Sequence, residues 1–251
     1  YDGPIAQAVA FEKLLVSGSG LAERLKAAFA GRGAGELVHI AVDGETFGHH
    51  HRFGEMALAY ALELLEAEPE LRLTNYGEFL ERRPPAHEAE IVEASSWSCA
   101  HGVERWRGDC GCSSGRRPGA RQAWRKPLRE ALDGLRDDAA RLFESRAAGL
   151  LADSWAARDE YIELILDRSP ARREEFLARH AARSLAEAEK VLALRLLELQ
   201  RQAQLMYTSC AWFFDDLEGI ETAQVLRYAL RLLELAREAG AAELENPFLE
   251  A

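Results

Sequence analysis

The apolar positions change period along the chain, and the changes divide it into two parts of different texture. From residue 1 to about 115, short elements alternate. AQAVAFEKLL and LAERLKAAFAG carry apolar residues three and four apart, the helical spacing, and the second ends near Gly31. ELVHIAVDG (36–44) is a β-branched run closed by Asp-Gly, the pattern of a strand running into a turn. FGEMALAYALELLEAE (53–68) predicts a helix with Leu58, Ala61, Leu62 and Leu65 on one face, and LRLT (71–74) predicts a second short strand. Asn75 and Glu78 have capping-box spacing ahead of the short helix YGEFLERR. After these elements comes a Gly-, Cys- and Trp-rich stretch, SSWSCAHGVERWRGDCGCSSGRRPG (95–119), with no period at all. A loop of that length in a compact domain points to a function, and two tryptophans set it apart from disordered sequence.

From about residue 121 nearly every segment has the three-four spacing with charged faces between, which predicts a helical bundle. Ser169-Pro170 starts a helix, with the serine as cap and the proline in its first turn. Ser184 and Glu187 have capping-box spacing before an apolar stripe through Val191, Leu194, Leu197 and Leu205. Gly219 marks a break, and TAQVLRYALRLLELAREA is the last helix. Strands alternating with helices and then helices alone predict an α/β part, 1–115, followed by a mostly α part, 116–251.

Composition narrows the function classes. The 251-residue chain is 48% hydrophobic and 29% charged, enough to bury a sizeable core. A net charge of −11 excludes a general polyanion-binding surface, so no nucleic-acid partner is expected. The one locally basic stretch, 115–129, reads as a loop leading into a solvated helix. No apolar run approaches the roughly 20 residues of a membrane span, and Tyr1 opens no signal peptide, so a cytoplasmic location is expected. The first and last residues read as cuts within a longer protein.

Two clusters hold candidate chemistry. Asp43 and Glu45 stand at the end of the predicted strand 36–42, where ligands collect in sheets and barrels flanked by helices. His49, His50 and His51 follow at once, and imidazoles beside carboxylates orient hydroxyls, bind divalent metals or tune proton affinity. Against this, Asp-Gly-Glu also makes a plain turn with a helix cap, and the histidines can be its polar rim. Cys99, Cys110 and Cys112 lie close together with His101 nearby, and Cys210 is remote. Without a C-x2-C pair they read as three loop thiols and a core cysteine, with no cofactor. If the helical part folds back over the loop, Cys99, Cys110, Cys112 and Cys210 instead form a four-thiolate site suited to zinc or an iron–sulfur cluster. Asp215, Asp216 and Glu218 read as a capping or solvated acidic helix end.

VDGETFGHH (42–50) resembles the fourth signature region of family-57 glycoside hydrolases, and SSWSCAHGVERW (95–106) resembles the fifth. LTNYGEFLE, SSWSCAHGVERWRGDCGC, WAARDEYIELILDRSP and MYTSCAWFFDD resemble, in order, the domain-of-unknown-function family 3536, found on the C-terminal side of family-57-like proteins. The resemblance implies the C-terminal portion of an incomplete (β/α)7 barrel followed by a helical bundle. It implies action on α-glucans with retention, by hydrolysis or glycosyl transfer. Asp43 would be the general acid/base, with the glutamate nucleophile on an upstream strand outside this chain. Glu45, His49, His50, Trp97 and Trp106 would contact the sugar. The parent protein would be an enzyme and this segment alone inactive. The alternatives are a non-catalytic carbohydrate-binding or structural module, and a metal-dependent hydrolase using Asp43 with His49 or His51.

Overall fold

The computed structural model describes every residue except Arg32, Ala34, Arg116 and Ala251; of the basic stretch 115–129, Arg116 therefore lies outside the described residues. The chain forms two compact units, Tyr1–Glu90 and Ile91–Ala251.

The first unit holds α1 (Gly3–Phe11), α2 (Gly18–Ala27), α3 (Gly54–Glu66) and α4 (Tyr76–Arg82). Asp2 and Ser17 cap α1 and α2 by accepting the amides of Ile5 and Gly20. Its core is Ile5, Val9, Leu15, Leu21, Ala22, Ala61 and Leu65, with α2 lying on α3. That approach is close because Gly18 has no side chain: a Cβ there would collide with the Ala57 carbonyl. On α3 the predicted face is rotated, since Ala61 and Leu65 are buried but Leu62 reaches solvent.

The predicted strands do not form. Residues 36–43 and 71–75 are without regular secondary structure, and the only β-type pairs among the described residues are isolated bridges. This overturns the expected α/β class and the barrel portion. Alternation does predict burial, because Ile40 and Val42 pack against the unit's core. A strand, however, exists only through hydrogen bonds to a neighbouring strand. The His39 carbonyl accepts the Asp2 amide at 2.7 Å, from a helix cap rather than a ladder. Asn75 caps α4 by accepting the Glu78 amide at 3.0 Å, but the Glu78 carboxylate turns to Thr74 and Arg72 instead of closing the box.

The second unit is the expected helical bundle. Three long helices, α5 (Arg125–Ala147), α9 (Glu187–Leu205) and α11 (Ile220–Glu238), pack against one another. Shorter helices complete the unit: α6 (Ser154–Glu160), α7 (Ile162–Leu166), α8 (Pro170–His180), α10 (Cys210–Phe213) and α12 (Glu245–Glu250). Buried positions recur at helical spacing, as Leu132, Leu135, Ala139 and Leu142 on α5 and Val225, Ala229, Leu232 and Ala236 on α11. Gln200 of α9 is buried among them and satisfied, its amide donating to the Ala139 carbonyl at 2.9 Å. Ser169 caps α8 over Pro170 as the sequence predicts. The box before α9 is displaced by two residues: Glu189, not Glu187, accepts the Ala186 amide at 2.9 Å. Of the predicted stripe Leu197 is buried as expected, with Ala193, Leu196 and Ala203 beside it, and Val191 is exposed.

Leu196, fully buried in the second unit, should lose about 2–5 kcal/mol of stability on substitution by alanine. Leu166→Ala, at a side chain 81% exposed, should stay within about 0.5 kcal/mol of the parent in denaturant melts. Equal losses at the two positions would contradict this packing.

Candidate metal centre

The irregular stretch belongs to the second unit, and two short turns within it bring four ligand atoms together. In the first turn, Cys99-Ala100-His101, the following Gly102 has a φ of 76° and backs onto the Ala94 carbonyl so closely that no side chain fits. In the second, Cys110-Gly111-Cys112, Gly111 has a φ of 80°. Cys99 Sγ lies 3.8 Å from both Cys110 Sγ and Cys112 Sγ. His101 Nδ1 lies 3.5 Å from Cys112 Sγ and 4.0 Å from Cys99 Sγ. All four ligand atoms fall within 4.8 Å of one another, a group able to hold a metal ion.

These separations have a simple meaning. Bond lengths of about 2.3 Å to sulfur and 2.0–2.1 Å to nitrogen, at tetrahedral angles, set ligand sulfurs about 3.8 Å apart and sulfur and nitrogen about 3.5 Å apart. Cys99 is 4% exposed and His101 lies at the surface, so the group has a buried corner and a solvent-facing one. Burial raises the proton affinity of the Cys99 thiol, but the backbone amides of His101 and Arg105, the His101 ring and Cys112 outweigh it and bring the pKa down to about 6. The Cys110 thiol shifts the other way, pushed up by burial and by the neighbouring Cys112 and Cys99 sulfurs, despite an amide hydrogen bond from Cys112. One sulfur is thus prepared as a thiolate at neutral pH, the form that ligates a metal.

The helical core grips this loop at several points. Asp215, 4% exposed, accepts the Ser114 amide at 2.9 and 3.0 Å and its hydroxyl at 2.7 Å. The expected solvated helix end is, at this residue, a buried anchor. Arg125 of α5 is wholly buried and donates to the carbonyls of Cys112 at 3.4 Å and Phe214 at 3.2 Å. Arg105, in the helical turn Glu104–Trp106, is 4% exposed, donates to the Ser98 carbonyl at 2.9 Å and lies 4.1 Å over the Phe213 ring. Arg129 donates to the Trp106 carbonyl at 3.2 Å.

Cys210 is exposed at the start of α10 and is not part of the group; His101 takes its place. A search for C-x2-C pairs passes over the C-x-H and C-x-C turns, and these were the signal in the sequence. Arg105 and Arg125 had none, because their burial is a tertiary fact.

Of the other expected site residues, Asp43, Glu45, His49 and His50 belong to the first unit and Trp97 and Trp106 to the second. Asp43 precedes the helical turn Gly44–Thr46, its side chain exposed and its carbonyl accepting the Thr46 amide at 3.1 Å. Glu45, His49 and His50 share that exposed turn, where the His50 amide donates to the Glu45 carbonyl at 2.9 Å. The His49 and His50 rings are 5.2 Å apart. His51 is instead half-buried, with Nε2 2.9 Å from the Ala10 carbonyl. The first unit's 830 Å³ cleft is lined by residues of 29–39 and 70–83, including His39 and Tyr76, and not by Asp43. In the second unit Trp97 is 77% exposed. Trp106 is half-buried and lines a 380 Å³ cleft with Arg129, Arg136, Gln204 and Tyr207.

No helix among the described residues is long and apolar enough to cross a membrane. No curated protein and no solved structure matches the chain. A family model, Domain of unknown function (DUF3536), matches residues 121–251, which are the bundle helices beneath the loop. The chain belongs to that family.

Proposed function

We propose that Cys99, His101, Cys110 and Cys112 hold one zinc ion in a closed, four-ligand structural site that fastens the 95–122 loop to the helical bundle. The observation that carries this reading is the set of 3.5–4.0 Å separations among the ligand atoms. Three sulfurs and an imidazole suit zinc, and four protein ligands leave no open position for substrate. An iron–sulfur cluster interposes its own sulfides and would spread its cysteine ligands further apart than these. The loop has little secondary structure of its own, so the ion's binding energy becomes folding energy for it.

We also infer, from the resemblance, that the parent is an α-glucan-acting protein of the family-57 type, a hydrolase or transglycosidase. The observation in favour is the family match over 121–251, since that family accompanies family-57-type proteins. In that reading Asp43 is the general acid/base, and Glu45, His49, His50, Trp97 and Trp106 contact sugar. Asp43 is exposed in its own unit and does not line the cleft there, whereas a general acid relies on burial to stay protonated.

Purified chain should carry about one zinc per molecule by elemental analysis, with its melting temperature lowered on chelation. Cys99→Ser should lose the metal; a metal-free parent, or unchanged zinc in the variant, would contradict the site. Protons compete with zinc for the thiolates. The Cys99 pKa is lowered from 9.0 to about 6, so its thiolate stabilises the fold fully above about 9, and that contribution is lost as pH falls through about 6. Zinc affinity measured by chelator competition should therefore fall as the pH is lowered, because zinc displaces the Cys110 proton, and fall more steeply below about pH 6, where Cys99 adds a further proton. In the parent protein, Asp43→Asn should reduce cleavage of maltooligosaccharides about 100-fold or more. Equal activity would remove Asp43 from the mechanism.

A further inference from the structure

Two arginines are almost wholly withdrawn from water beside the thiol group. Arg125 is fully buried and Arg105 is 4% exposed. Among the described residues their hydrogen bonds run to carbonyls of Cys112, Phe214 and Ser98, and the Nε atom of each has no partner. Neither forms an ion pair with a carboxylate among the described residues. Buried Asp215 supplies one negative charge nearby, and Asp109, also close, is exposed and screened by water. Two buried positive charges against one negative leave an excess that the interior cannot hold cheaply. The sulfur group beside them can carry the missing negative charge. A divalent ion bound by three thiolates and a neutral imidazole carries one net negative charge, and the interior is then balanced.

We propose that Arg105 and Arg125 are positioning residues whose fixed positive charge selects the anionic, three-thiolate divalent complex at Cys99, His101, Cys110 and Cys112. Arg125 reaches the Cys112 carbonyl and Arg105 the Ser98 carbonyl, so each cation also braces the backbone of one ligand-bearing turn. A neutral site of two thiolates and two imidazoles in the same pocket would leave the second cation uncompensated. The loop's choice of three cysteines and one histidine and the bundle's choice of buried arginine are thus one design, matched in charge. This inference rests on the metal-binding reading, and its test separates the two.

The test is zinc affinity of the full chain by chelator competition, in a cycle crossing Arg125→Met with Cys112→His. The second substitution keeps four ligands and removes one negative charge from the complex. Arg125→Met should weaken zinc binding about 10- to 100-fold, the usual range for groups that support metal ligands. Arg125→Lys, keeping the charge, should retain most of the affinity. Cys112→His should cost much less in the Arg125→Met background than in the parent, because the charge it unbalances is already gone. Because Arg125 also touches the Cys112 carbonyl, charge is separated from contact by Arg125→Lys, in which Cys112→His must again cost as much as in the parent. Should Arg125→Met fail to fold, the same cycle at Arg105 decides the matter. Additive losses, or a charge-free variant binding zinc like the parent, overturn this inference alone. A parent chain that takes up no zinc overturns the metal-binding reading with it.

Discussion

The second unit depends on the burial of charge and sulfur in a place where the backbone offers almost no regular hydrogen bonding. Among the described residues of 95–122 there is one helical turn and no other regular secondary structure, yet they carry a buried thiol and a buried guanidinium. Such a segment stays folded only if its polar groups find partners. They converge on the Cys99–Cys112 group, on Asp215 and on Arg125, so the loop is ordered by a few strong fixed points rather than by a ladder. Zinc at the centre would join the two ligand-bearing turns directly.

The bundle makes these fixed points possible. Its long helices bury Trp212, Phe143, Phe176 and a leucine-rich core, with Trp106 of the loop packed against that core. Arg125 sits at the first turn of α5, and Asp215 follows α10, so both anchors project from elements held by that core. A rigid scaffold presenting an irregular, chemically loaded loop is a common division of labour in proteins. The family match spans the scaffold and stops short of Cys99, Cys110 and Cys112, so the loop is the part whose chemistry this chain's own residues must explain.

What the sequence revealed follows from what periodicity measures. The three-four spacing exposed the bundle because each helix satisfies its own backbone, and the apolar stripe alone then fixes which face is buried. Ser169 and Pro170 were legible as a helix start for the same local reason. The run 36–42 was misleading because alternation reports burial, which Ile40 and Val42 do achieve, and says nothing about a pairing partner. Cys99, Cys110 and Cys112 were visible as a cluster, but the fourth ligand was assigned to remote Cys210 when His101, two residues from Cys99, was nearer in chain and in space. Asp215 looked solvated because it stands in an acidic run with Asp216 and Glu218; only the folded loop shows that it holds Ser114. The arginines were indistinguishable from the chain's many surface cations.

X-ray absorption at the zinc edge of the purified chain addresses the central claim most directly, because it counts ligand types around the ion. Three sulfurs at about 2.3 Å and one nitrogen at about 2.0–2.1 Å are predicted. Four sulfurs, which would draw in Cys210, or a shell of oxygen and nitrogen typical of adventitious surface binding, would contradict it.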